Sequence, residues 1–357
     1  MVRKEFFKQI EIIAEEKGIN VEDLYEAFRK AMINAFRKMY GNSSVRVDIK
    51  PARNEILIYS QHIVVKEYVR DDQTIELPQM LLSEAKSISN RYKVGDVVEQ
   101  PISPEDFGRI AASTAKQVFN QNIRNFEKEN AYNYFKQMEN EMIIAEVVDI
   151  RDEFLTLSVG ENVTTLLPKR ELLPNDTFVL REKIKVYITA VEPGTKGPKV
   201  FVSRNDKNLV TRLMENVIPE IKDGTIEIMG LARDPGDRTK IAIYSKNPKV
   251  DAIGSCVGES GARIREVVNS LNGEKIDLYK WSDDPKELIT NALQPAHVLE
   301  VIDIDIRDRQ ALAIVPDDQL SLAIGKAGQN VRLAVMSSGW KIDIKSEEDA
   351  INENITW

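Results

Sequence analysis

Residues 1–138 carry apolar side chains at helical spacing, interrupted by shorter stretches that alternate between apolar and polar positions. The helical runs cover 2–17, 21–40 and 104–138. The alternating runs cover 44–49, 55–59 and 63–69. Helical spacing indicates amphipathic helices, and alternation with period two indicates strands. These residues therefore predict a small α+β head with a long connector helix, which we expect to pack partly on the head and to act as a rigid spacer.

Beyond residue 139 the period changes to two and the apolar runs become short. Five runs cover 142–150, 154–159, 162–167, 183–191 and 199–203. Five short strands separated by turns are typical of a small closed barrel of the oligonucleotide-binding (OB) type, here residues 139–205. We predict that Lys185, Tyr187 and Arg204 form its RNA-binding face, because single strands stack on aromatic side chains beside basic ones. A barrel used only for protein contacts is the alternative.

A short pattern built on two glycines occurs twice in the remaining residues. The glycine pairs are Gly258 with Gly261 and Gly325 with Gly328. Each pair encloses two residues and precedes a helical run that leads to Lys-Ile-Asp, at 275–277 in one copy and 341–343 in the other. The offset is 67 residues at the glycines and 66 at Lys-Ile-Asp. A duplicated domain explains this near-constant offset.

A Gly-x-x-Gly turn between two helices suits nucleic-acid binding. Glycine lets another backbone approach closely, and the following helix offers unpaired N–H groups to a phosphate. KH domains clamp about four nucleotides of single-stranded RNA or DNA in this way. A helix–helix turn that merely needs glycine is the alternative, but two copies in matching contexts favour nucleic acid. Each copy also has the element order of the type II (prokaryotic) KH fold, so we predict two KH domains packed in tandem, 206–282 (KH1) and 283–357 (KH2).

The charge balance limits how RNA can be bound. The chain of 357 residues has a formal net charge of −8. Residues 206–357 alone hold 19 Lys and Arg against 26 Asp and Glu. An RNA contact therefore has to use local basic stripes, backbone amides and helix ends, and we expect modest affinity.

The residue types needed for catalysis or metal binding are scarce. Cys256 is the single cysteine, which excludes an internal disulfide and a cysteine-cluster metal site and indicates a buried structural thiol. The two histidines, His62 and His297, lie on separate modules, which argues against a catalytic triad or a histidine metal site. We predict no enzyme activity and no cofactor. Neither a signal peptide nor a membrane span is recognised, so a cytoplasmic protein is expected.

Several longer stretches carry a family resemblance. They are 107–112, 114–118, 217–221, 236–242, 323–334 and 339–344. Together with the order of head, long helix, barrel and KH tandem, they make the chain similar to the NusA family of bacterial transcription termination and antitermination factors. The resemblance implies a monomer whose head docks on core RNA polymerase near the RNA exit channel while barrel and KH domains hold nascent single-stranded RNA. It also implies longer hairpin pauses, support of intrinsic termination, and antitermination together with other Nus factors.

The resemblance also implies which residues contact RNA, in and just behind the two turns, which we call the first and second glycine loops. In the first loop they are Gly258, Glu259, Ser260, Gly261, Arg263 and Arg265. In the second loop they are Gly325, Lys326, Ala327, Gly328, Gln329, Asn330 and Arg332. The family usually has a basic residue where Ser260 stands, and acidic Glu259 beside it opposes phosphate. We therefore predict that the second loop, with Lys326, contributes more affinity.

The basic residues of the second helix are the candidates for polymerase contact. They are Arg29, Lys30, Arg37 and Lys38. A solvated helix face is the alternative interpretation of these four side chains.

Two other functional classes stay open. RNA-processing phosphorylases also carry KH and OB modules, but they place them after large catalytic domains, for which the residues before 140 are too few. A ribosome-bound protein is the second alternative, although such proteins are usually strongly basic, in contrast to the net charge of −8 found for this chain.

Overall fold

The computed structural model describes residues 5–40, 44–68, 77–102, 108–160 and 162–357. The chain forms two compact units, Met1–Asn130 and Ala131–Trp357. The predicted helix starts at 2 and 104 and the predicted strand end at 69 lie outside the described residues.

The first unit joins helices to a four-stranded sheet. Its helices are α1 (Glu5–Lys17), α2 (Val21–Tyr40) and α3 (Leu82–Ile88). Its strands are β1 (Ser44–Lys50), β2 (Glu55–Val65), β3 (Gln79–Leu81) and β4 (Val97–Pro101). The predicted apolar stripe of α2 is confirmed, because Leu24, Ala31 and Ala35 are fully buried. This α+β arrangement agrees with the predicted head.

The sheet of the first unit differs from the sequence prediction at its central strand. Two strands were expected at 55–59 and 63–69, but β2 runs without a break from Glu55 to Val65. It pairs antiparallel with β1 over its first part, then antiparallel with β4 and parallel with β3. One long strand thus pairs with β1 along its first part and with β3 and β4 along its second part. The alternation of apolar and polar residues does not predict this pairing. The pattern also missed β3, α3 and β4.

The long helix is present as α4 (Gly108–Gln137). Its side chains Phe119, Ile123 and Phe126 pack against the apolar cluster of α1 and α2, which confirms that part of it packs on the head. Phe119 meets Phe28 edge-on, with ring centroids 5.7 Å apart. That α4 acts as a rigid spacer stays a prediction.

The second unit begins with a nearly closed five-stranded barrel. Its strands are β5 (Met142–Ile150), β6 (Phe154–Gly160), β7 (Val163–Pro168), β8 (Lys183–Glu192) and β9 (Lys199–Ser203). They pair antiparallel in the order β7-β6-β5-β8-β9. The hydroxyl of Thr165 on β7 donates to the carbonyl of Val200 on β9, which joins the two ends of the sheet. Inward-facing side chains such as Val147, Leu157 and Val186 are fully buried, as alternating strands require.

Two units of the same architecture follow the barrel. KH1 contains α5 (Lys207–Val217), α6 (Pro219–Lys222), β10 (Ile226–Asp234), β11 (Arg238–Ser245), α7 (Ala252–Val257), α8 (Ala262–Ser270) and β12 (Lys275–Lys280). KH2 contains α9 (Pro285–Ala292), β13 (Glu300–Asp305), β14 (Gln310–Val315), α10 (Leu320–Ile324), α11 (Gln329–Ser338) and β15 (Lys341–Ser346). The duplication and the predicted order of elements in KH2 are confirmed, whereas in KH1 the single helix predicted before the first strand is divided into α5 and α6 at Ile218.

The sheets of the two KH units also share their pairing. In each, the first two strands are antiparallel and the third is parallel to the second. Arg238 pairs with Lys275 in KH1, and Gln310 pairs with Lys341 in KH2. KH2 has one further helix, α12 (Glu347–Asn352), whose Ala350 packs on Leu312 and Ile314. The sequence pattern did not predict α12.

Candidate nucleic-acid interface

The two glycine loops share one backbone conformation. The first glycine has φ 74° and ψ 175° at Gly258, and φ 77° and ψ 170° at Gly325. This region is accessible essentially to glycine alone. The third position is left-handed in both loops although neither residue is a glycine, with φ 50° at Ser260 and 52° at Ala327. A left-handed non-glycine residue costs about 1–2 kcal/mol, so both copies maintain the same local strain.

Each loop opens directly into a helix whose first N–H groups have no side-chain cap. Gly261 is the N-cap of α8 and Gly328 is the N-cap of α11, and neither has a side chain to accept a hydrogen bond. The N–H of Ala262 donates to the carbonyl of Glu259 and the N–H of Gln329 to that of Lys326, so each helix start presents mainly the positive end of its dipole to an anion. Two helix starts of this kind, each preceded by an open glycine turn, are suited to phosphate groups of a nucleic-acid backbone.

The exposed side chains around the loops differ in charge. Glu259 and Ser260 are exposed in the first loop, and Lys326 and Ala327 are exposed in the second. Within the part of the chain that the structure describes, Arg265 and Lys326 are exposed cations for which no side-chain partner is found. These two residues lie where the sequence predicted RNA contacts.

Arg263 braces the first loop from behind. Its Nη1 donates to both carboxylate oxygens of Glu220, at 2.9 and 3.1 Å, and to the carbonyl of Ser255 at 2.7 Å. A Cβ at Gly258 would lie 2.7 Å from Cγ of Arg263. Nη1 of Arg263 is thus engaged within KH1, and an RNA contact by the rest of its guanidinium stays a prediction.

Asn330 has the corresponding place in the second loop and is buried, with 6% of its surface exposed. Its Nδ2 donates to the carbonyls of Leu293 and Ala323, both at 3.0 Å. A Cβ at Gly325 would lie 2.7 Å from the backbone nitrogen of Asn330. This buried amide links the start of α11 to two helix ends of KH2, and a contact of Asn330 with RNA stays a prediction.

Gln329 and Arg332 project toward KH1. Nε2 of Gln329 donates to Oδ2 of Asp234 at 2.9 Å and to Oδ2 of Asp237 at 2.7 Å. The guanidinium of Arg332 forms an ion pair with the same Asp234 carboxylate. Both side chains were predicted to bind RNA, but they contact the other KH domain. Only the tertiary structure brings 234 next to 332, so the motif did not reveal this role.

KH1 and KH2 are packed together along the back of the KH1 sheet. Ala242 and Tyr279 of that sheet share a core with Leu288 and Ile289 of KH2. The hydroxyl of Tyr279 donates to Oγ of Ser337 at 2.9 Å. The predicted packing of the tandem is confirmed.

Lys240 adds a buried charge to this contact. Its side chain is 1% exposed, and Nζ donates to the carbonyls of Ala292 and Gln294, both at 2.7 Å. These carbonyls lie at the C-terminal end of α9, where the helix dipole favours a cation. Burial lowers the pKa of Lys240 from 10.5 to about 8.

The predicted RNA-binding face of the barrel is covered by KH1. Arg204 is 2% exposed and pairs with Asp176 through Nε at 2.6 Å and Nη2 at 2.9 Å. Its Nη2 also donates to the carbonyl of Ser270 on α8. Tyr187 is 4% exposed and packs in the core of KH1, and Nζ of Lys185 donates to Oγ of Ser270 at 3.1 Å. Lys185, Tyr187 and Arg204 thus attach the barrel to KH1, which leaves little of Tyr187 and Arg204 for RNA, and their RNA contact stays a prediction.

The four basic residues of α2 differ in their surroundings. Arg29 donates to the carbonyl of Val47 at 3.2 Å and pairs with Glu26, and Lys30 lies 3.9 Å from Glu26. Arg37 and Lys38 are exposed, and no partner is found for either among the described residues. Arg37 and Lys38 are therefore the more available cations of this helix.

Cys256 has the properties of a structural thiol. It is fully buried, and burial raises the pKa of its thiol to about 12. Among the described residues, no group of three or more His, Cys, Asp or Glu side chains is arranged to hold a metal ion. No helix in the described ranges is long and apolar enough to cross a membrane.

Three family models match successive parts of the chain. They are described as the NusA N-terminal domain, over residues 5–129, and the NusA-like first and second KH domains, over 204–281 and 285–352. A solution structure of the N-terminal domain of NUSA from B. subtilis is 39% identical, covers 35% of this chain and 97% of its own, and has a TM-score of 0.28.

Relatives named transcription termination/antitermination protein NusA match nearly the whole chain. The protein from Bacillus subtilis is 45% identical over 347 residues, which are 97% of this chain and 92% of that protein. The protein from Halalkalibacterium halodurans is 43% identical over 350 residues, which are 98% of this chain and 90% of that protein. On these matches, the chain belongs to the NusA family of transcription termination/antitermination proteins.

Proposed function

We propose that this chain is a cytoplasmic, monomeric transcription elongation factor that binds core RNA polymerase through its head and nascent single-stranded RNA through the KH tandem. By holding the transcript close to the polymerase it lengthens hairpin pauses, supports intrinsic termination and, with other Nus factors, takes part in antitermination. Family membership supports the role in transcription, and the geometry of the two loops supports the RNA contact.

One observation carries the RNA part of the proposal. Two glycine loops of the same backbone conformation lie on KH domains that are packed together, and each loop opens into an uncapped helix start. A phosphate at either loop meets backbone N–H groups at the positive end of a helix. Lys326 adds a positive charge at the second loop, and Arg265 adds one behind the first. These features supply binding where the overall charge of the tandem opposes it.

The internal contacts of each loop fit the same role. Arg263 and Asn330 use their polar groups to hold the helix that leads into each loop, through the carbonyls of Ser255 and Ala323. Loops that are already in the binding conformation lose less conformational entropy when a strand is bound.

The RNA contact is tested by reversing the two available charges in the full chain. In Arg265→Glu/Lys326→Glu, affinity for a fluorescein-labelled single-stranded RNA should fall at least tenfold, since two attractive contacts become repulsive. Arg307→Glu is the matched control, because Arg307 is exposed on the β13–β14 hairpin, away from both loops in sequence. Equal losses in the double variant and the control would contradict loop-specific binding.

The polymerase contact is tested with cognate core polymerase and a template that encodes a pause hairpin. The full chain should bind the polymerase and lengthen the pause, and Arg37→Glu/Lys38→Glu should weaken both effects. Lys8→Glu, on an exposed position of α1, is the control. RNA binding without polymerase binding would instead favour a KH protein that acts in RNA processing or on ribosomes.

A further inference from the structure

We infer that KH1 positions the second glycine loop through the carboxylates of its β10–β11 hairpin, so that the RNA affinity of KH2 depends on Asp234 and Asp237. The inference rests on the proposed RNA-binding function and deepens it. It treats Asp234 and Asp237 as positioning residues, which act on RNA through KH2 and do not touch it.

The contacts lie at the exit of the loop. Gln329 is the first residue of α11 and directly follows Gly328, the last residue of the loop. Arg332 lies three residues further, on the same side of the helix. Asp234 accepts from both side chains, and Asp237 accepts from Gln329. The first turn of α11, which directly follows the loop, is therefore fixed to KH1.

The hairpin that supplies the carboxylates is itself firmly held. Glu274 is fully buried and accepts from Nη2 of Arg233 at 2.8 Å, from the backbone N–H of Gly236 at 2.8 Å, and from the hydroxyl of Thr239. On the other side, Nδ2 of Asn175 in the barrel domain donates to the carbonyl of Gly236 at 3.2 Å. A buried and fully hydrogen-bonded carboxylate of this kind fixes local geometry.

Among the described residues, no side chain of a neighbouring domain is found to bind the first turn of α8 in this way. By the repeat offset, Ala262 and Arg265 stand where KH2 has Gln329 and Arg332. Ala262 has no polar side chain, and Arg265 is exposed. The brace of the first loop, Arg263 with Glu220, lies entirely inside KH1. The two loops therefore have the same shape but different support.

The negative charge of Asp234 and its positioning role predict opposite effects on RNA affinity, which makes the inference testable. A carboxylate beside a phosphate site repels RNA, so deleting it raises affinity if charge alone matters. Deleting it also removes the contacts that Arg332 and Gln329 make with Asp234, which lowers affinity if these contacts align the loop. The sign of the change in a single variant separates the two effects.

The experiment compares Asp234→Ala with Asp308→Ala in the full chain. Asp308 lies between β13 and β14, the KH2 counterpart of the β10–β11 hairpin, is exposed and has the same charge. With a fluorescein-labelled single-stranded RNA of mixed sequence, Asp234→Ala should weaken binding about fivefold or more, as a coupling between sites does. Asp308→Ala should leave binding unchanged or slightly stronger. Stronger binding in both variants would overturn the inference.

A charge swap distinguishes positioning from direct contact by Arg332. Asp234→Arg and Arg332→Asp should each weaken binding, and the double variant should recover most of the loss, because the pair is restored with reversed polarity. If the double variant binds as weakly as Arg332→Asp, then Arg332 contacts RNA directly and the inference is wrong.

Amide hydrogen exchange without RNA provides a readout that is independent of the proposed function. In Asp234→Ala, amides of residues 326–330 should exchange faster, whereas those of 259–263 should not change. Unchanged exchange at 326–330 would overturn the positioning role. If these amides exchange faster in Asp234→Ala but the wild-type chain binds no RNA, the contact between KH1 and the loop is retained and the proposed function is overturned.

Discussion

Gly230 of KH1 lies directly against the backbone carbonyl of Ser337 in KH2. A Cβ placed on Gly230 would lie 1.9 Å from that oxygen and 3.0 Å from the carbonyl carbon. Gly230 follows a β-bulge in β10, and Ser337 lies near the end of α11. The absence of a side chain at 230 is therefore what allows strand and helix to come this close.

Gly230→Ala should separate KH1 from KH2 at this point. Overlap with a backbone atom cannot be relieved by a rotamer change, so we expect a loss of about 2 kcal/mol or more in the free energy of unfolding. Thermal and urea unfolding of the full chain measure it. Met229→Ala, at an exposed neighbour in the same strand, is the control and should change stability by much less. A stable Gly230→Ala variant would show that the two domains are not held at this contact.

Lys240 should make the stability of the tandem depend on pH. Its pKa is about 8 in the folded chain and 10.5 when unperturbed, so between these values the unfolded chain holds more protons. Stability should therefore rise with pH across this window, by about 1 kcal/mol between pH 7 and 9. The measurement is the difference in unfolding free energy between wild type and Lys240→Met at several pH values. A difference that does not change with pH would contradict this account of Lys240.

The two glycine loops should differ in their contribution to RNA affinity. Gly258→Asp and Gly325→Asp make an unequal comparison, because a side chain at 258 meets the flexible Arg263 but one at 325 meets the backbone of Asn330. Substitutions at the second residue of each loop, Glu259 and Lys326, avoid this difference in steric overlap, because both side chains are exposed. Lys326→Ala should weaken binding several-fold and reduce the salt slope by about 1, whereas Glu259→Ala should strengthen binding slightly. A larger loss in Glu259→Ala than in Lys326→Ala would contradict the predicted order.

Arg204 should stabilise the chain without contacting RNA. Removing one partner of a buried ion pair leaves an uncompensated charge, so Arg204→Ala should cost about 3–5 kcal/mol. In Arg204→Ala/Asp176→Ala both charges are gone, and we expect part of the loss to be recovered. The check is chemical unfolding together with RNA binding at a temperature where the variants remain folded. A large loss of affinity in a fully folded variant would return Arg204 to the RNA-binding set.

The glycine loops could be located from the sequence because their requirements are local. Gly258 and Gly325 need a conformation that other residues do not adopt, and the residues that follow need only helical spacing. The barrel and the duplication could also be predicted from the sequence, since the alternation of apolar residues and the repeat offset can both be observed in the sequence itself. The same holds for Lys326, whose exposure follows from its place in the turn.

The contacts that the sequence did not reveal depend on neighbours that are distant in sequence. Arg204 and Tyr187 do point outward from the barrel, but KH1 covers that face. Asn330 is polar and follows the loop, yet its amide is buried because two carbonyls of KH2 converge on it. Alternation shows which side chains lie on the same face of a strand. It does not show which face another domain covers.

The helix α12 makes the two KH units unequal. By strand register, Lys240 of KH1 and Leu312 of KH2 occupy the same place in their sheets. In KH1 this place carries an ammonium bound by carbonyls of the next unit, whereas in KH2 it is apolar and lies under Ala350. The tandem therefore has a direction, with one sheet built to receive a neighbour and one closed by its own helix. Exchanging the order of the units would leave a buried lysine without acceptors at one end and two surfaces that no longer match at their junction.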